Sequence, residues 1–478
     1  LSLLKTWYFE KGEVISMKKV KFICEQYVDM LGILIAVLTV FSSFFITGLF
    51  GMGKYGTLIN YTLCGLFFVY IGMLLIIRKK NSCFYKSVEF YICLFLFFYL
   101  LTIGLNTGKI QNLKIFILTA IQWVILFHYM KTKRITMEKI LYCLNIIIFI
   151  VTFIGIVYCF LFNHPVSNFA ERHCGFYENP NTGAIICAIS IAISMMFLSF
   201  KNIWNRVFLI INIVCQLMMI RLCLSRAGVI MLIAFLILYA LIVACYHKKK
   251  AITAIRNLIV VAVVFLFIYN VVSPKLYHLR DLILYQPSAV LNVLQKEETA
   301  GSNVSKRDEK KATDSDNHRM NLLISGSKAF LHNPIIGVGQ ANLPKAVNEQ
   351  MLLQDLETGG VHNAYLQMLI SNGTIGFVSY AAIYVVLLIL FIKKRKTITL
   401  AMIQDKNYNY FCGFTALTLS LFVYGLLESV IVLSSSFPAV IMAISAGGVA
   451  SFIEGNESVG KELSTNGKET VEYHHTCI

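Results

Sequence analysis

One histidine lies where a long polar stretch of the sequence ends and an apolar run begins. His362 is followed by Asn363, and Tyr365 lies one helical turn further on. A histidine can accept a proton near neutral pH, so His362 is a candidate general base. A histidine that only caps the following helix is the structural alternative. The position favours proton transfer at a membrane surface, because the apolar run after residue 362 is long enough to span a bilayer.

An arginine lies shortly before an Asn-Pro-Asn sequence in the first half of the chain. Arg172 precedes Pro180 by eight residues, and Asn181 stands at the start of the next apolar run. Free backbone N–H groups at a helix start, beside a positive charge, form an anion site. A plain turn with a capping asparagine would place the same residues there without a function, and the residues alone leave both interpretations open.

Two further arginines stand near the ends of predicted helices. Ser225 and Arg226 precede the small residues Ala227 and Gly228, which permit the close approach of a bulky ligand, and Arg319 begins an amphipathic pattern. Such arginines are often only solvated at the interface, yet a charge beside a membrane is costly and indicates function. Guanidinium groups bind pyrophosphate with paired hydrogen bonds. Together the arginines predict a site for a lipid-linked anion.

The sequence carries no motif for a metal, a nucleotide or a nucleic acid. Apart from Asp314 and Asp316 in the polar stretch 296–317, the face that carries the arginines has no Asp-x-Asp pair and no His/Cys cluster, and glycine-rich nucleotide-binding motifs are absent. The 13 cysteines include no Cys-x-x-Cys pair, and most lie in apolar runs, where cysteine behaves as a small hydrophobic residue. We therefore expect no metal, no cofactor and no nucleic acid partner.

The composition predicts an all-α polytopic membrane protein. Of the 478 residues, 57% are hydrophobic and 14% are charged, which is too apolar for a soluble chain of this length. A spanning helix needs about 20 apolar residues. Twelve predicted spans lie at 29–50, 58–77, 88–105, 113–130, 140–162, 181–200, 203–221, 228–246, 256–273, 363–392, 408–427 and 430–453.

Lysines and arginines indicate how these helices are oriented. With the N-terminus inside, the inner segments carry 26 of them, the short outer loops 6, and residues 274–362 the other 10. Cytoplasmic loops hold the excess of positive charge, so the net charge of +17 is mostly a topology signal. The predicted parts are a cytoplasmic N-terminus (1–28), nine spanning helices (29–273), an extracytoplasmic loop (274–362), three spanning helices (363–453) and a cytoplasmic tail (454–478).

Within the extracytoplasmic loop, several parts can be distinguished. Residues 274–295 could rest on the membrane surface, and residues 296–317 are polar without an apolar period and are predicted to be mobile. Apolar residues between 320 and 331 follow helical spacing, and a tight turn with two glycines is expected at 335–339. At the other end of the chain, Met17 is a candidate start, with residues 1–16 as an extension, and no cleavable signal peptide is predicted.

In this order and topology, the polar motifs resemble those of the O-antigen ligase and polymerase superfamily. The motifs are Arg-x-x-Gly-Phe-x-x-Asn-Pro-Asn from residue 172, Ser-Arg-x-Gly from 225, Asn-Pro-x-x-Gly-Val-Gly from 333 and His-Asn-x-Tyr-Leu from 362. The resemblance covers about residues 170–450. In the family the helix after the loop arginine often carries a tryptophan, where this chain has Leu322, Leu323 and Ile324.

The resemblance implies a GT-C-like membrane glycosyltransferase with an extracytoplasmic active site in the bacterial cytoplasmic membrane. Its donor would be a glycan on undecaprenyl pyrophosphate, and its mechanism would be metal-independent and inverting. By the match, His362 would be the catalytic base. The other implied site residues are Arg226, Arg319 and Arg172 for pyrophosphate binding, with Asn181, Ser225, Asn363 and Tyr365 in support.

A Wzy-type polymerase, which joins lipid-linked repeat units into capsular or O-antigen polysaccharide, is the favoured function. A ligase that transfers finished glycan to lipid A core or protein shares the motifs and stays an alternative. A flippase or permease would need polar residues midway through its helices, where this sequence is almost wholly apolar. Peptidoglycan polymerases are another rival class, but they are typified by an aspartate pattern in an outer loop, and not by His-Asn-x-Tyr-Leu. Expected partners are the lipid-linked donor and acceptor and the bilayer, with a flippase and a chain-length regulator as candidates.

Overall fold

The computed structural model describes residues 17–49, 55–77, 87–162, 172–198, 202–246, 248–272, 319–351, 360–404, 408–431 and 433–454. Within these stretches all regular structure is helical, apart from one isolated antiparallel bridge between Leu49 and Tyr177. This agrees with the predicted all-α class. The predicted surface segment 274–295 and the predicted mobile loop 296–317 lie outside the described residues.

Each predicted span falls on a helix of the described stretches. The helices are α1 (Met17–Gly48), α2 (Gly56–Ile77), α3 (Val88–Leu105), α4 (Lys109–Thr132), α5 (Arg134–Phe162), α6 (Pro180–Phe197), α7 (Ile203–Cys223), α8 (Arg226–Tyr246), α9 (Lys248–Phe267), α10 (319–332), α11 (Leu343–Asn348), α12 (Ala364–Gln404), α13 (Tyr408–Gly425) and α14 (Phe437–Glu454). Among the described helices, nine are long and apolar enough to cross a membrane, namely α1 to α8 and α12. The chain is therefore a multi-pass membrane protein, and the total of twelve spans stays a prediction.

Helix α6 is the most enclosed of these candidate spans, because 89% of its residues are buried. It packs against α5, α7, α8 and α13, and α13 packs in turn against α8 and α14. A Cβ on Gly228 would lie 2.5 Å from the Cβ of Ala184, so the first turns of α6 and α8 touch at this glycine. Small residues let membrane helices approach closely. Gly228 therefore makes room for α6, and the approach of a ligand at Ala227 and Gly228 stays a prediction.

A buried chain of uncharged polar side chains joins the middle parts of α5, α6 and α7. The bonded side chains are Asn145, Thr152, Tyr177, Ser190, Ser194, Asn212 and Gln216. The sequence interpretation that mid-helix positions are almost wholly apolar was wrong here, because single polar residues four apart do not interrupt an apolar run. Hydrogen bonds between helices stabilise packing in a membrane. Since these side chains bond to one another, helix packing explains why polar residues occupy these positions.

The turn between α10 and α11 confirms the prediction from its asparagine, proline and glycines. Helix α10 ends at residue 332, directly before Asn333 and Pro334. Gly337 and Gly339 have φ angles of +78° and +85°, a left-handed conformation that favours glycine. A Cβ on Gly337 would lie 2.5 Å from the backbone nitrogen of Gly373 in α12. The turn therefore lies directly against the α12 backbone.

Helix α12 is broken at Gly373, which has φ of +65° and ψ of −174°. The predicted helix over 363–392 thus consists of a short part, 364–372, and a long part that begins at 374. The turn at 334–339 supplies the missing backbone bonds: Val338 N–H to Ile370 O (2.9 Å), Gly339 N–H to Ser371 O (2.8 Å) and Thr374 N–H to Pro334 O (2.8 Å). Backbone groups that are freed in apolar surroundings must find partners. The turn and the break therefore form one structural unit.

A small second core lies between α10, α11 and the short part of α12. Its buried residues are Leu322, Ala329, Leu343, Val347, Val361 and Ile370. The helix after residue 319 is present as predicted, but its buried face carries Leu322 and Ala329, whereas Met320, Ile324 and Leu331 of the predicted apolar spacing are exposed, so the predicted face was wrong. The core fixes the start of α10, which carries Arg319, relative to the start of α12, which follows His362.

The last helix begins later than its apolar run predicts. The run predicts a start at residue 430, whereas α14 begins at Phe437. Pro438 suits the first turn of a helix, where no N–H donor is needed. Before it, Leu433 has a φ angle of +51°, which ends any helical path from 430. The described part of 426–436 is a non-helical connection, and this connection carries Glu428.

Candidate active site

The carboxylate of Glu428 lies at the centre of the site, with only 7% of its side chain exposed. Its Oε2 atom is 2.9 Å from Nδ1 of His362. Its Oε1 atom accepts a hydrogen bond from Nδ2 of Asn181 at 3.0 Å and lies 3.6 Å from Nη2 of Arg319. A buried carboxylate needs such partners, because burial without them is costly. Glu428 therefore joins three predicted site residues that come from distant parts of the chain.

Asn181 connects two more predicted residues to this carboxylate. Its Oδ1 atom accepts hydrogen bonds from Nη2 of Arg172 at 3.0 Å and from Oγ of Ser225 at 2.9 Å. Its amide therefore uses the oxygen for two donors and the nitrogen for Glu428, a consistent orientation. The predicted anion-site residues Arg172 and Asn181 are in direct contact.

Arg172 is held in place by backbone and side-chain acceptors. Its Nε atom donates to the carbonyl of Cys223, the last residue of α7, at 2.9 Å. The neighbouring Asn179 caps α6, since its side chain accepts the N–H of Thr182 at 2.8 Å. Burial lowers the pKa of Arg172, and the nearby Arg319 lowers it further, against the effect of Glu428. Its positive charge is thus only partly balanced, although an arginine stays protonated.

His362 has an unusual backbone conformation, and its neighbour Asn363 caps the helix that follows. Its φ angle is +48°, uncommon for a residue with a side chain. Oδ1 of Asn363 caps α12, accepting the N–H groups of Tyr365 at 3.1 Å and Leu366 at 2.9 Å. The alternative that His362 is the cap is therefore wrong. The imidazole bonds to Glu428 instead, and 44% of the His362 side chain is exposed.

Asn363 and Tyr365 also join the start of α12 to the end of α13. Nδ2 of Asn363 donates to the carbonyl of Leu426 at 3.2 Å, and the Tyr365 hydroxyl donates to the carbonyl of Phe422 at 2.7 Å. Leu426 lies two residues before Glu428. These two bonds therefore hold the segment that carries Glu428 against the segment that carries His362, a supporting role for Asn363 and Tyr365.

The arrangement combines a proton acceptor with excess positive charge at one end of the helix bundle. Arg172 and Arg319 carry two positive charges, and Glu428 supplies one negative charge. In the described residues no group of three or more His, Cys, Asp or Glu could hold a metal ion, and metal independence stays a prediction. An anion that binds the guanidinium groups would balance the charge.

Comparison with known proteins identifies the family that the motifs resemble. Residues 211–381 match the family model of the O-antigen ligases. This confirms the resemblance to the O-antigen ligase and polymerase superfamily. The matched region includes Ser225, Arg226, Arg319 and His362. A search of curated proteins finds no match.

Arg226 differs from the other predicted arginines. Arg226 is exposed at the first position of α8, and among the described residues its side chain has no hydrogen bond or ion pair. Only its neighbour Ser225 joins the contacts around Asn181. The pyrophosphate role predicted for Arg226 therefore rests on an unpaired charge beside the site.

Sequence reasoning missed Glu428, which lies outside the O-antigen ligase match. It belongs to none of the recognised motifs, and the chain around it is apolar. One signal was available: Glu428 is a lone acidic residue between two apolar runs. A charged residue near a membrane is costly, and its placement indicates a function or a specific partner.

Proposed function

We propose that the protein is a membrane glycosyltransferase that polymerises repeat units carried on undecaprenyl pyrophosphate into capsular or O-antigen polysaccharide. One observation carries the proposal: the exposed ring of His362 and the guanidinium group of Arg319 share the carboxylate of Glu428. Asn181 bonds to the same carboxylate and connects it to Arg172. A base and two anion-binding groups thus lie together. The O-antigen ligase match supports the reaction class.

The transfer needs a base more than it needs an acid. An acceptor sugar hydroxyl is a poor nucleophile until its proton is removed, and His362 takes that proton. The hydroxyl oxygen attacks the anomeric carbon of the donor as the bond to the phosphate oxygen breaks. Undecaprenyl pyrophosphate leaves as an anion that the arginines stabilise. Direct displacement inverts the anomeric carbon.

The proposed location is the outer face of the cytoplasmic membrane. The starts of α6, α8 and α12 and the ends of α7 and α13 meet around Glu428, so the site lies at one end of the bundle. The predicted cytoplasmic loops carry most of the lysines and arginines, which supports the outer side for this end. Donor and acceptor would reach the site from the outer leaflet.

A ligase is the second candidate function, because the matching family model is that of the O-antigen ligases. Donor binding and base catalysis would be the same, and only the acceptor would differ. A flippase receives no support from the buried polar chain of α5 to α7, whose uncharged groups bond to one another.

Analysis of surface polysaccharide in a deletion strain tests this proposal. A polymerase deletion leaves acceptors that carry a single repeat unit and removes the ladder of longer chains. A ligase deletion leaves intact polymer on the undecaprenyl carrier. Normal surface polysaccharide with a normal ladder would contradict both, and a repeat unit trapped on the inner leaflet would point to a flippase. Complementation with the intact gene is the control.

A further inference from the structure

We infer that Glu428 is the positioning residue for the catalytic base, a role that rests on the proposed function. It fixes which nitrogen of His362 carries the proton and balances the charge that His362 gains. It does so from inside the protein, where it need not touch the substrate.

The hydrogen bonds define the direction of the contact with His362. Oε1 of Glu428 faces two donors, Nδ2 of Asn181 and Nη2 of Arg319, so the carboxylate acts as an acceptor. Oε2 then accepts the proton of Nδ1 of His362 at 2.9 Å. In a neutral imidazole the other nitrogen is unprotonated. Nε2 of His362 is therefore the atom that takes the proton from the acceptor hydroxyl.

The carboxylate of Glu428 also balances charge at the site. When Nε2 accepts a proton, the ring of His362 becomes positive near the guanidinium group of Arg319, which lies 3.6 Å from the same carboxylate. That change is unfavourable unless a negative group is adjacent. The buried carboxylate of Glu428 is such a group, as in the acid–histidine pairs of hydrolases.

The contacts also separate positioning from anion binding. Arg319 lies 3.6 Å from Oε1, farther than a normal hydrogen bond, and 41% of its side chain is exposed. It can therefore turn to a bound pyrophosphate while Asn181 and His362 keep Glu428 in place. Removing the negative charge of Glu428 should not weaken pyrophosphate binding, because it removes a competitor for Arg319.

The test uses the full-length protein in lipid nanodiscs, with Glu428→Gln, His362→Ala and the double variant. Glu428→Gln should lower kcat by about 10²–10⁴-fold, with KM for the donor changed by less than about threefold. In the His362→Ala background, Glu428→Gln should cause no further loss beyond about threefold, because both changes remove the same function. Binding of undecaprenyl pyrophosphate alone should be unchanged or tighter. Glu349→Gln, at an exposed residue directly after α11, is the matched control and should behave as wild type.

Three results would overturn the inference while leaving the proposed function intact. They are near wild-type kcat in Glu428→Gln, losses that multiply in the double variant, or weakened pyrophosphate binding in Glu428→Gln. A wild-type rate in His362→Ala would instead overturn the proposed function. If Glu428→Gln does not fold, Glu428→Asp replaces it, because its shorter side chain moves the carboxylate away from Nδ1 of His362. This change should lower kcat in the wild-type background but not in His362→Ala. Equal losses of kcat in both backgrounds would overturn the inference.

Discussion

Nδ1 of His362 lies 2.9 Å from Oε2 of Glu428, although 66 residues separate them in the chain. One residue precedes α12 and the other follows α13, and Asn363 bonds the two segments together. The same carboxylate reaches Asn181 and Arg319. The proposed chemistry depends on this meeting point.

Asn181 should tolerate no replacement that loses its amide donor. Asn181→Asp cannot donate to Glu428 and places a second carboxylate beside it, so we expect destabilisation of about 1–3 kcal/mol and loss of activity. Thermal unfolding in detergent and polymer formation measure the two effects. Asn202→Asp is the control, since Asn202 caps α7 at an exposed site and aspartate caps helices equally well. Equal behaviour of the two variants would contradict the assigned role of Asn181.

Arg226 should require a guanidinium group. If it binds pyrophosphate through paired hydrogen bonds, Arg226→Lys should lose nearly as much activity as Arg226→Ala, because a point charge cannot replace the planar fork. Polymer formation in a complemented deletion strain is the measurement. Arg256→Lys, exposed on α9, should retain activity. A fully active Arg226→Lys variant would reduce Arg226 to an interfacial charge.

Gly373 should be essential for the broken helix. A Cβ there would lie 2.2 Å from the carbonyl oxygen of Ile335, and its φ of +65° is strained for other residues. Gly373→Ala should therefore lower the unfolding temperature and displace the turn at 334–339. Gly65→Ala is the control, because a Cβ at Gly65 meets no atom within 4 Å. Unchanged stability in Gly373→Ala would show that the turn and the break are not one unit.

The orientation of the chain is open to a direct test. The distribution of lysines and arginines predicts that a reporter fused at residue 310 is active only outside the membrane and one at residue 400 only inside. Phosphatase and fluorescent-protein fusions distinguish the two sides. The opposite pattern would place the site at the cytoplasmic face and remove the proposed access from the outer leaflet.

The sequence was sufficient to predict the helices and most of the site, because long apolar runs and polar motifs are local signals. Arg172, Asn181, Ser225, Arg319 and His362 were found this way, and the structure joins them. Glu428 could not be paired with His362, since their contact depends on how two distant helix ends pack. The break at Gly373 was hidden for a similar reason: its hydrogen bonds come from a turn more than thirty residues earlier.

The helix boundary near residue 430 was misplaced because apolar residues continue through a non-helical connection. Local composition cannot show the positive φ of Leu433. The buried chain around Asn212 was missed because isolated polar residues leave the mean hydropathy of a span high. Both features depend on tertiary contacts, and the non-helical connection determines where Glu428 lies.

Glycosyl transfer by purified His362→Ala from a defined lipid-linked repeat unit tests the role of His362 as the base. We expect a folded, membrane-inserted protein, since an exposed side chain seldom determines stability. Donor binding should resemble that of wild type, and the transfer rate should be lower by about 10²–10⁴-fold, the usual contribution of a general base. A wild-type rate in this variant, or a glycosyl group trapped covalently on the wild-type protein, would show that His362 is not the base of a direct displacement.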